Sequence, residues 1–514
     1  MVPAGDDLMP VAPAARSTGT SRGTLVRVFR WAAVGTVTTY AVNLVILPFV
    51  LNRIGRELFG AWATIATVIA MGGLADIGIR TEVIRRVAAA NGADDEDGLA
   101  AAVHQGMTLL VGLASALFLF GMVSAPAIRA FAFPEGVAET GPASLDLLIR
   151  AVFGLLALSL VINGFFGVLA GVQRADVESM AGAAAVPLGA AATVGGILWG
   201  WGLWALLAGA VVELAVLLGW KAVAVRRLVP ALHPRLVRLT RAQAASYLGL
   251  SSLVFVCQLG DVFDFQWDKL MLSRFVGTAA VSSFQVATSL VMGARVLAQL
   301  PLAPMLTAAA ELRQRDPERM ETLFALLGKI GAVASAVILG GVFVFAPAFI
   351  RLWLGPEMAQ AGDAARLLAV AVAISVIGAP AAFRALAEGW HRLAAASAIS
   401  NIVVNGTLSA VLTIAIGFNG PLYGSIAGNA LGLVVILVLV RRRLGDRFQL
   451  PPWRGLAVGT ALALAAAASG LGTVTTWLSL GVTAAAYAAV VAFACIRAER
   501  LPLSSFRPAR EPAR

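Results

Sequence analysis

Asp261, Asp264 and Asp268 stand three and seven residues apart in LGDVFDFQWDKLML (259–272), a stretch that otherwise reads as apolar helix. On an α-helix that spacing places the three carboxylates on one stripe. Carboxylates this close at low dielectric are costly unless a proton, a cation or an arginine joins them. Ionisable groups at bilayer depth mark transport pathways. Asp261 and Asp264 are therefore candidate coupling sites for H+ or Na+, as is Glu213, mid-span in LLAGAVVELAVLLGW (206–220). Asp268 falls nearer the helix end, and the adjacent Lys269 can snorkel outward. Three arginines offer a different chemistry: Arg295 in VMGARVLAQLP, Arg384 in AFRALAEGW and Arg80 at the close of the second apolar run. A guanidinium presents a planar fork of donors that matches phosphate geometry, which makes these three candidates for an anionic headgroup; snorkelling to the interface is the alternative. The amides of Gln258, Gln285 and Gln299 can donate to sugar hydroxyls or bridge helices.

The elements that must carry these groups follow from composition. The chain has 514 residues, 59% hydrophobic and 13% charged, with mean hydropathy +0.85. Soluble domains carry about 45–50% apolar and about 25% charged residues, so the class is an all-α polytopic membrane protein. A net charge of +11 in a soluble protein suggests nucleic acid. Here the basic residues lie in short segments between apolar runs, so topology explains them and no nucleic-acid partner is expected. Cys257 and Cys495 both fall in apolar runs and read as small core hydrophobes. The first 28 residues, rich in Pro, Ala, Ser and Gly, lack the apolar segment of a signal peptide and read as a disordered cytoplasmic tail. With no Walker A loop, GxSxG or HExxH and only three histidines, no cofactor or metal is expected and the chain is read as a non-enzyme. A membrane-embedded glycan polymerase or transferase is the enzyme alternative. It normally presents a large extramembrane loop, whereas the segment near 125–146, with Arg129, Glu135, Glu139 and Asp146, is modest.

A crossing helix needs about 20 apolar residues, and about fourteen stretches qualify. Lys221, Arg226, Arg227, Arg235, Arg238 and Arg241 fall on one side of the membrane by that count, with Arg441, Arg442, Arg443, Arg447 and Arg454. The opposite connections WGWG (199–202) and GFNG (417–420) carry no Lys or Arg. The asymmetry places both termini in the cytoplasm. The charged segments DDED (94–97) and ELRQRDPERMET (311–322) read as cytoplasmic loops.

The two halves echo each other. LNRIGRELFGAWATIATVIAMGG (51–73) matches LSRFVGTAAVSSFQVATSLVMGA (272–294) at Leu51/Leu272, Arg53/Arg274 and the AT and MG pairs, all at offset 221. GLWALLAG (202–209) resembles PLYGSIAG (421–428) at offset 219. Six passes per copy make the repeat parallel, which suits two bundles rocking about a shared central cavity. At offset 221 Asn43 lies opposite Asp264, so both lobes are expected to supply polar partners there. The division is a tail to 28, a six-helix lobe over 29–224, a linker over 225–246, a second lobe over 247–444, an appended helix pair over 445–498, and a tail over 499–514.

LPFVLNRIGRELFGAWATIATVIAMGGLADIGIR (47–80) resembles the first hairpin of Wzx-type polysaccharide flippases of the multidrug/oligosaccharidyl-lipid/polysaccharide exporter superfamily. The matching features are Gly55 to Gly60 at the exit loop and Asp76 to Gly78 at the close of the second helix. WDKLMLSRFVGTAAVSSFQVATSL (267–290) resembles the family's seventh-helix exit at Asp268, Gly277 and VA (286–287), with Phe284-Gln285 where an aromatic is expected. The resemblance implies two six-helix lobes around a V-shaped cavity in the cell inner membrane. It implies flipping of an undecaprenyl-diphosphate-linked oligosaccharide to the outer leaflet by alternating access. The expected partners are that lipid-linked substrate, membrane lipids, H+ or Na+, and polysaccharide assembly machinery. Arg295, Arg80, Arg384, Asn43, Asp268 and Gln285 are the expected substrate-binding residues. A lipid II flippase and a cation-coupled multidrug exporter of the same fold are the alternatives.

Overall fold

In a computed structural model the described residues are 22–72, 77–137, 142–230, 235–248, 251–302, 317–445 and 451–501. Among them the chain is helical throughout, with no strand. The first lobe holds α1 (Arg22–Gly72), α2 (Ile77–Gly92), α3 (Glu96–Ala132), α4 (Pro142–Gly171), α5 (Asp176–Leu198) and α6 (Leu203–Leu228). A short α7 (Arg241–Leu248) precedes the second lobe, α8 (Ser251–Phe275), α9 (Thr278–Gln299), α10 (Pro317–Leu354), α11 (Ala359–Ala387), α12 (His391–Ile416) and α13 (Gly420–Leu444). The pair α14 (Trp453–Ala468) and α15 (Trp477–Ala498) packs against α10.

Among the described residues, ten segments are long and apolar enough to cross a membrane. Two of these contain a reversal each, at Gly55 and near Gly417, and α8 and the short apolar α14 complete the expected set of passes. The duplication has an echo in the backbone. Gly55 (φ 83°, ψ 167°) and Gly277 (φ 114°, ψ 165°), one residue off the 221 register, both break the chain with a positive φ and an extended ψ. That region is open to glycine and strained for a residue with a Cβ.

Several boundaries differ from the sequence reading. α1 begins at Arg22, inside the stretch read as a tail. DDED is half loop and half helix start: Asp94 lies in the turn after α2, the Asp95 side chain accepts from the Gly98 N–H, and Glu96 and Asp97 occupy the first turn of α3, where acidic groups complement the helix dipole. α10 takes up the end of the 311–322 segment, from Pro317; its earlier residues lie outside those described. Glu499 is buried and accepts from the Gly455 N–H at 2.6 Å, so the chain just past α15 is fastened rather than free. Cys495, buried as expected, donates its thiol to the Gly455 carbonyl.

The second lobe is tightened by a glycine ladder. Gly420, Gly424, Gly428 and Gly432 recur every fourth residue along one face of α13. A Cβ at these positions would meet, in turn, Thr413, Ser409, Asn401 with Asn405, and Ser397 of α12. Small residues at four-residue spacing let two helices approach closely where no water drives them together. This ladder holds the asparagines of α12 against α13, beside α8.

The lobes meet through α1 against α8 and α9. Contacts between them run along α1, from Gly293 against Tyr40 and Trp353 Nε1 on the Leu44 carbonyl to the helix ends remote from the interlobe linker. Gly60 abuts the backbone of Thr278, Arg56 Nη2 donates to Ser283 Oγ at 3.1 Å, and Ser273 Oγ donates to the Ala132 carbonyl at 2.7 Å.

Candidate functional site

Asp264 and Asp268 lie on the face of α8 that packs against α12 and α13. Asp264, 5% exposed, receives both oxygens' bonds from Asn401 Nδ2 at 3.0 Å, a bond from Asn405 Nδ2 at 2.8 Å and one from Asn429 Nδ2 at 3.3 Å. One turn on, Asp268 is fully buried and its Oδ2 accepts from Ser425 Oγ at 3.0 Å. Two acceptors in this cluster, Asn401 Oδ1 and Asp268 Oδ1, have no hydrogen-bond partner. The arrangement is an anionic site at mid-helix whose Asp264 oxygens are held by amide donors from two helices. No group of three or more His, Cys, Asp or Glu that could hold a metal occurs among the described residues. Asp261 belongs to α8, but its side chain lies outside the described residues.

Asp264 opens onto a cleft of about 310 Å³ lined by Arg295, Gln299, Asn401 and Asn429, with apolar walls from α11, α12 and α13. The lining runs from Asp264 at mid-helix to Gln299, Leu386 and Ala394 at the helix ends nearest the linker. Arg295 stands between them. A cation entering from the linker end would pass the guanidinium before reaching the carboxylate.

Every residue of this cleft belongs to the second lobe. The expected pairing across lobes is corrected: Asn43 is exposed on α1 and donates to the Thr39 carbonyl of its own helix. The repeat register that put Asn43 opposite Asp264 does not bring them together: Asp264 is enclosed by amides of α12 and α13 in its own lobe. The other residues expected at a substrate site are dispersed. Asp268 has no surface in this conformation. Gln285 donates to Ser289 one turn along α9. Arg80 stands 5.7 Å from the Phe166 ring in the first lobe, and Lys221 lies 5.8 Å from the same ring with its ammonium 2.6 Å from Glu178. Glu213 is half-buried on α6, where it packs beside Gly189 of α5.

Arg384 is likewise held away from the Asp264 cleft. Its guanidinium meets Glu321 of α10 at 2.7 Å and Glu388 at 3.0 Å, with only 8% of its side chain exposed. It fastens α10 to α11. Removing one member of a buried ion network leaves charges unpaired. Arg384→Ala is expected to cost ~3 kcal/mol of stability, read as a lower Tm in detergent, and Arg384→Lys, lacking the planar fork, to recover only part of it.

The cage of Asn401, Asn405 and Asn429 was not read from the sequence. The available signal was the spacing of Asn401 and Asn405, one turn apart in the apolar run SNIVVN, since amides in a span need partners.

The sequence profile of a family described as "Polysaccharide biosynthesis protein" matches residues 25–311. No curated protein matches. Among solved structures, the chain resembles the lipid II flippase MurJ in an inward closed conformation (TM-score 0.68, 9% identity, covering 92% of this chain and 98% of that one). It also resembles an inward-facing multidrug resistance MATE family transporter of the MOP superfamily (TM-score 0.64, 16% identity, 81% and 98%). A MATE transporter of that superfamily in the outward-facing conformation gives a TM-score of 0.55 at 17% identity, covering 83% and 96%. At these identities the likeness is one of fold.

Proposed function

The chain belongs to the polysaccharide biosynthesis protein family, and from that membership we propose that it flips an undecaprenyl-diphosphate-linked oligosaccharide across the cytoplasmic membrane by alternating access. The observation that carries the reading is the Arg295 cleft, which lies within the second lobe and runs to its linker end, while the lobes touch at Gly60, Arg56 and Ser273 at the remote ends. The basic residues of the linker and of the end of α13 support the reading that this end, and both termini, face the cytoplasm. The TM-score is higher to an inward-facing MATE transporter than to an outward-facing one, which supports a form open toward the linker end.

In this reading the headgroup arrives from the cytoplasm with its diphosphate drawn toward Arg295, where two charge-assisted bonds can form. The lobes then part at the remote ends and close at the linker end. Asp264 in its amide cage supports cation or proton coupling, which is also what a multidrug exporter of the same fold would need. A lipid II flippase shares the diphosphate chemistry, so Arg295 does not separate the two carriers.

Translocation of a labelled lipid-linked oligosaccharide in proteoliposomes tests the proposal. Arg295→Ala is expected to slow it about 10–100-fold, the worth of one to two charge-assisted bonds, and Arg295→Lys to recover part of the rate. Wild-type flux in Arg295→Ala removes the phosphate role. Transport of cationic drugs without any lipid flipping gives the function to the exporter reading.

A further inference from the structure

A second cleft, of about 410 Å³, lies where the appended pair meets the second lobe. It is separate from the Asp264 cleft and plays no part in the function proposed above. Its walls are apolar, drawn from α10, α11 and α13, with Phe324, Val376 and Val440 among them. Its rim is basic and aromatic. Lys329, Arg454 and Arg500 all border it, and Trp453 stands at the edge, 62% exposed, with Arg454 5.5 Å from its ring. Arg441, Arg442 and Arg443 follow directly on Val440 in the last turn of α13.

The acidic residues at this cleft are already engaged. Glu321 pairs with Arg384, and Glu499 accepts from the Gly455 N–H. Lys329 reaches only the Glu499 carbonyl oxygen, at 3.3 Å, and no carboxylate pairs with Lys329, Arg454 or Arg500 among the described residues. One wall holds a polar atom with no partner: Ser335, 2% exposed, whose Oγ makes no hydrogen bond. A buried hydroxyl left unpaired is costly, and a ligand acceptor would satisfy it.

We propose that this cleft holds one anionic phospholipid from the bilayer, its phosphate against Lys329, Arg454 and Arg500 and an acyl chain along the apolar wall toward Val376. Charge complementarity picks the headgroup, since a zwitterionic lipid offers no net charge to three cations that no carboxylate pairs among the described residues. The apolar depth picks a lipid over a soluble anion. An interfacial tryptophan beside arginines is the usual setting at headgroup level. The lipid would act as a fastener, tying the start of α14 and the end of α15 to α10.

Native mass spectrometry of the full-length protein, titrated with phosphatidylglycerol or phosphatidylcholine, tests this. One phosphatidylglycerol is expected to bind in preference to phosphatidylcholine. The triple variant Lys329→Ala, Arg454→Ala, Arg500→Ala is expected to lose roughly a hundredfold in affinity, from three cations at headgroup level. Ser335→Ala should weaken binding several-fold. The control Arg235→Ala, Arg238→Ala, Arg241→Ala removes the same charge from the linker and should change nothing. Equal binding of the two lipids overturns the proposal, as does equal loss in the control or an unchanged affinity in the triple variant. Undecaprenyl diphosphate binding here far more tightly than phosphatidylglycerol gives the cleft to the carrier and also overturns it. A binding readout does not depend on flux, so failure here leaves the transport reading intact, and the reverse holds.

Discussion

Asp264→Ala is expected to reduce ion-driven translocation by two orders of magnitude or more, the largest effect of any single side chain in the second lobe. Three asparagine amides converge on this one carboxylate, from α12 and α13. Hydrogen bonds to a charged group are worth about 1.5–3 kcal/mol each, and donors stranded in a buried site cost about 1–3 kcal/mol. The carboxylate is also the negative charge that would hold a coupling cation, and two neighbouring acceptors, Asn401 Oδ1 and Asp268 Oδ1, await a partner. Deleting it therefore removes the proposed coupling site and loosens the α8–α12–α13 junction together. Asp264→Asn separates the two effects. It keeps the volume and one acceptor, so the lobe should fold and elute as the wild type does, yet a neutral amide cannot pair with a cation. Proteoliposome flux should fall in both variants, and in Asp264→Asn the response to an imposed Na+ or proton gradient should vanish while folding is kept. Wild-type flux with full gradient dependence in Asp264→Asn would remove coupling from this site.

What could be read ahead of the structure follows from how strongly each residue type is constrained in a membrane. A carboxylate in an apolar run is conspicuous because burying a charge is expensive, and Asp264 and Asp268 were found on that ground and do share one face. The fold was legible for the same reason: apolar length sets the passes, and the echo at offset 221 between the exits of α1 and α8 sets the repeat. The cage was not legible, because asparagine carries no charge and its cost shows only once its partner is known. The glycine ladder of α13 sits in plain view at four-residue spacing, but glycine is common throughout this chain. Asn43 was misplaced because a repeat register equates positions within lobes and says nothing of contacts between them. Arg384 was misplaced because its partner Glu321 lies 63 residues away, in a segment whose mixed charges read as a solvated loop. Ion pairs between helices distant in sequence leave no periodic signal.

Gly60→Ala is the second large effect expected, and it acts on the lobes rather than on any ligand. Gly60 follows the break at Gly55 on α1, where the two lobes touch. A Cβ there would be driven into the Thr278 carbonyl and crowd the Ser282 N–H. Both are backbone atoms at the start of α9, so no rotamer change makes room. Overpacking of this kind costs typically 1–3 kcal/mol, and the joined state alone bears it, since a state in which the lobes part at this end has no Thr278 against Gly60. A cost of about 2–3 kcal/mol confined to one of two states moves their ratio roughly 30- to 150-fold. The variant should therefore populate the form open at the remote ends and slow the return step, lowering flux at least tenfold. Ser283 reports the change, because in the joined state it is buried and accepts from Arg56. With Cys257 and Cys495 replaced by Ala, Ser283→Cys should be shielded from an impermeant maleimide in the parent and labelled readily in Gly60→Ala. An unchanged Tm shows that the lobes themselves remain folded. Shielding of position 283 together with wild-type flux in Gly60→Ala would mean that this contact does not gate the cycle.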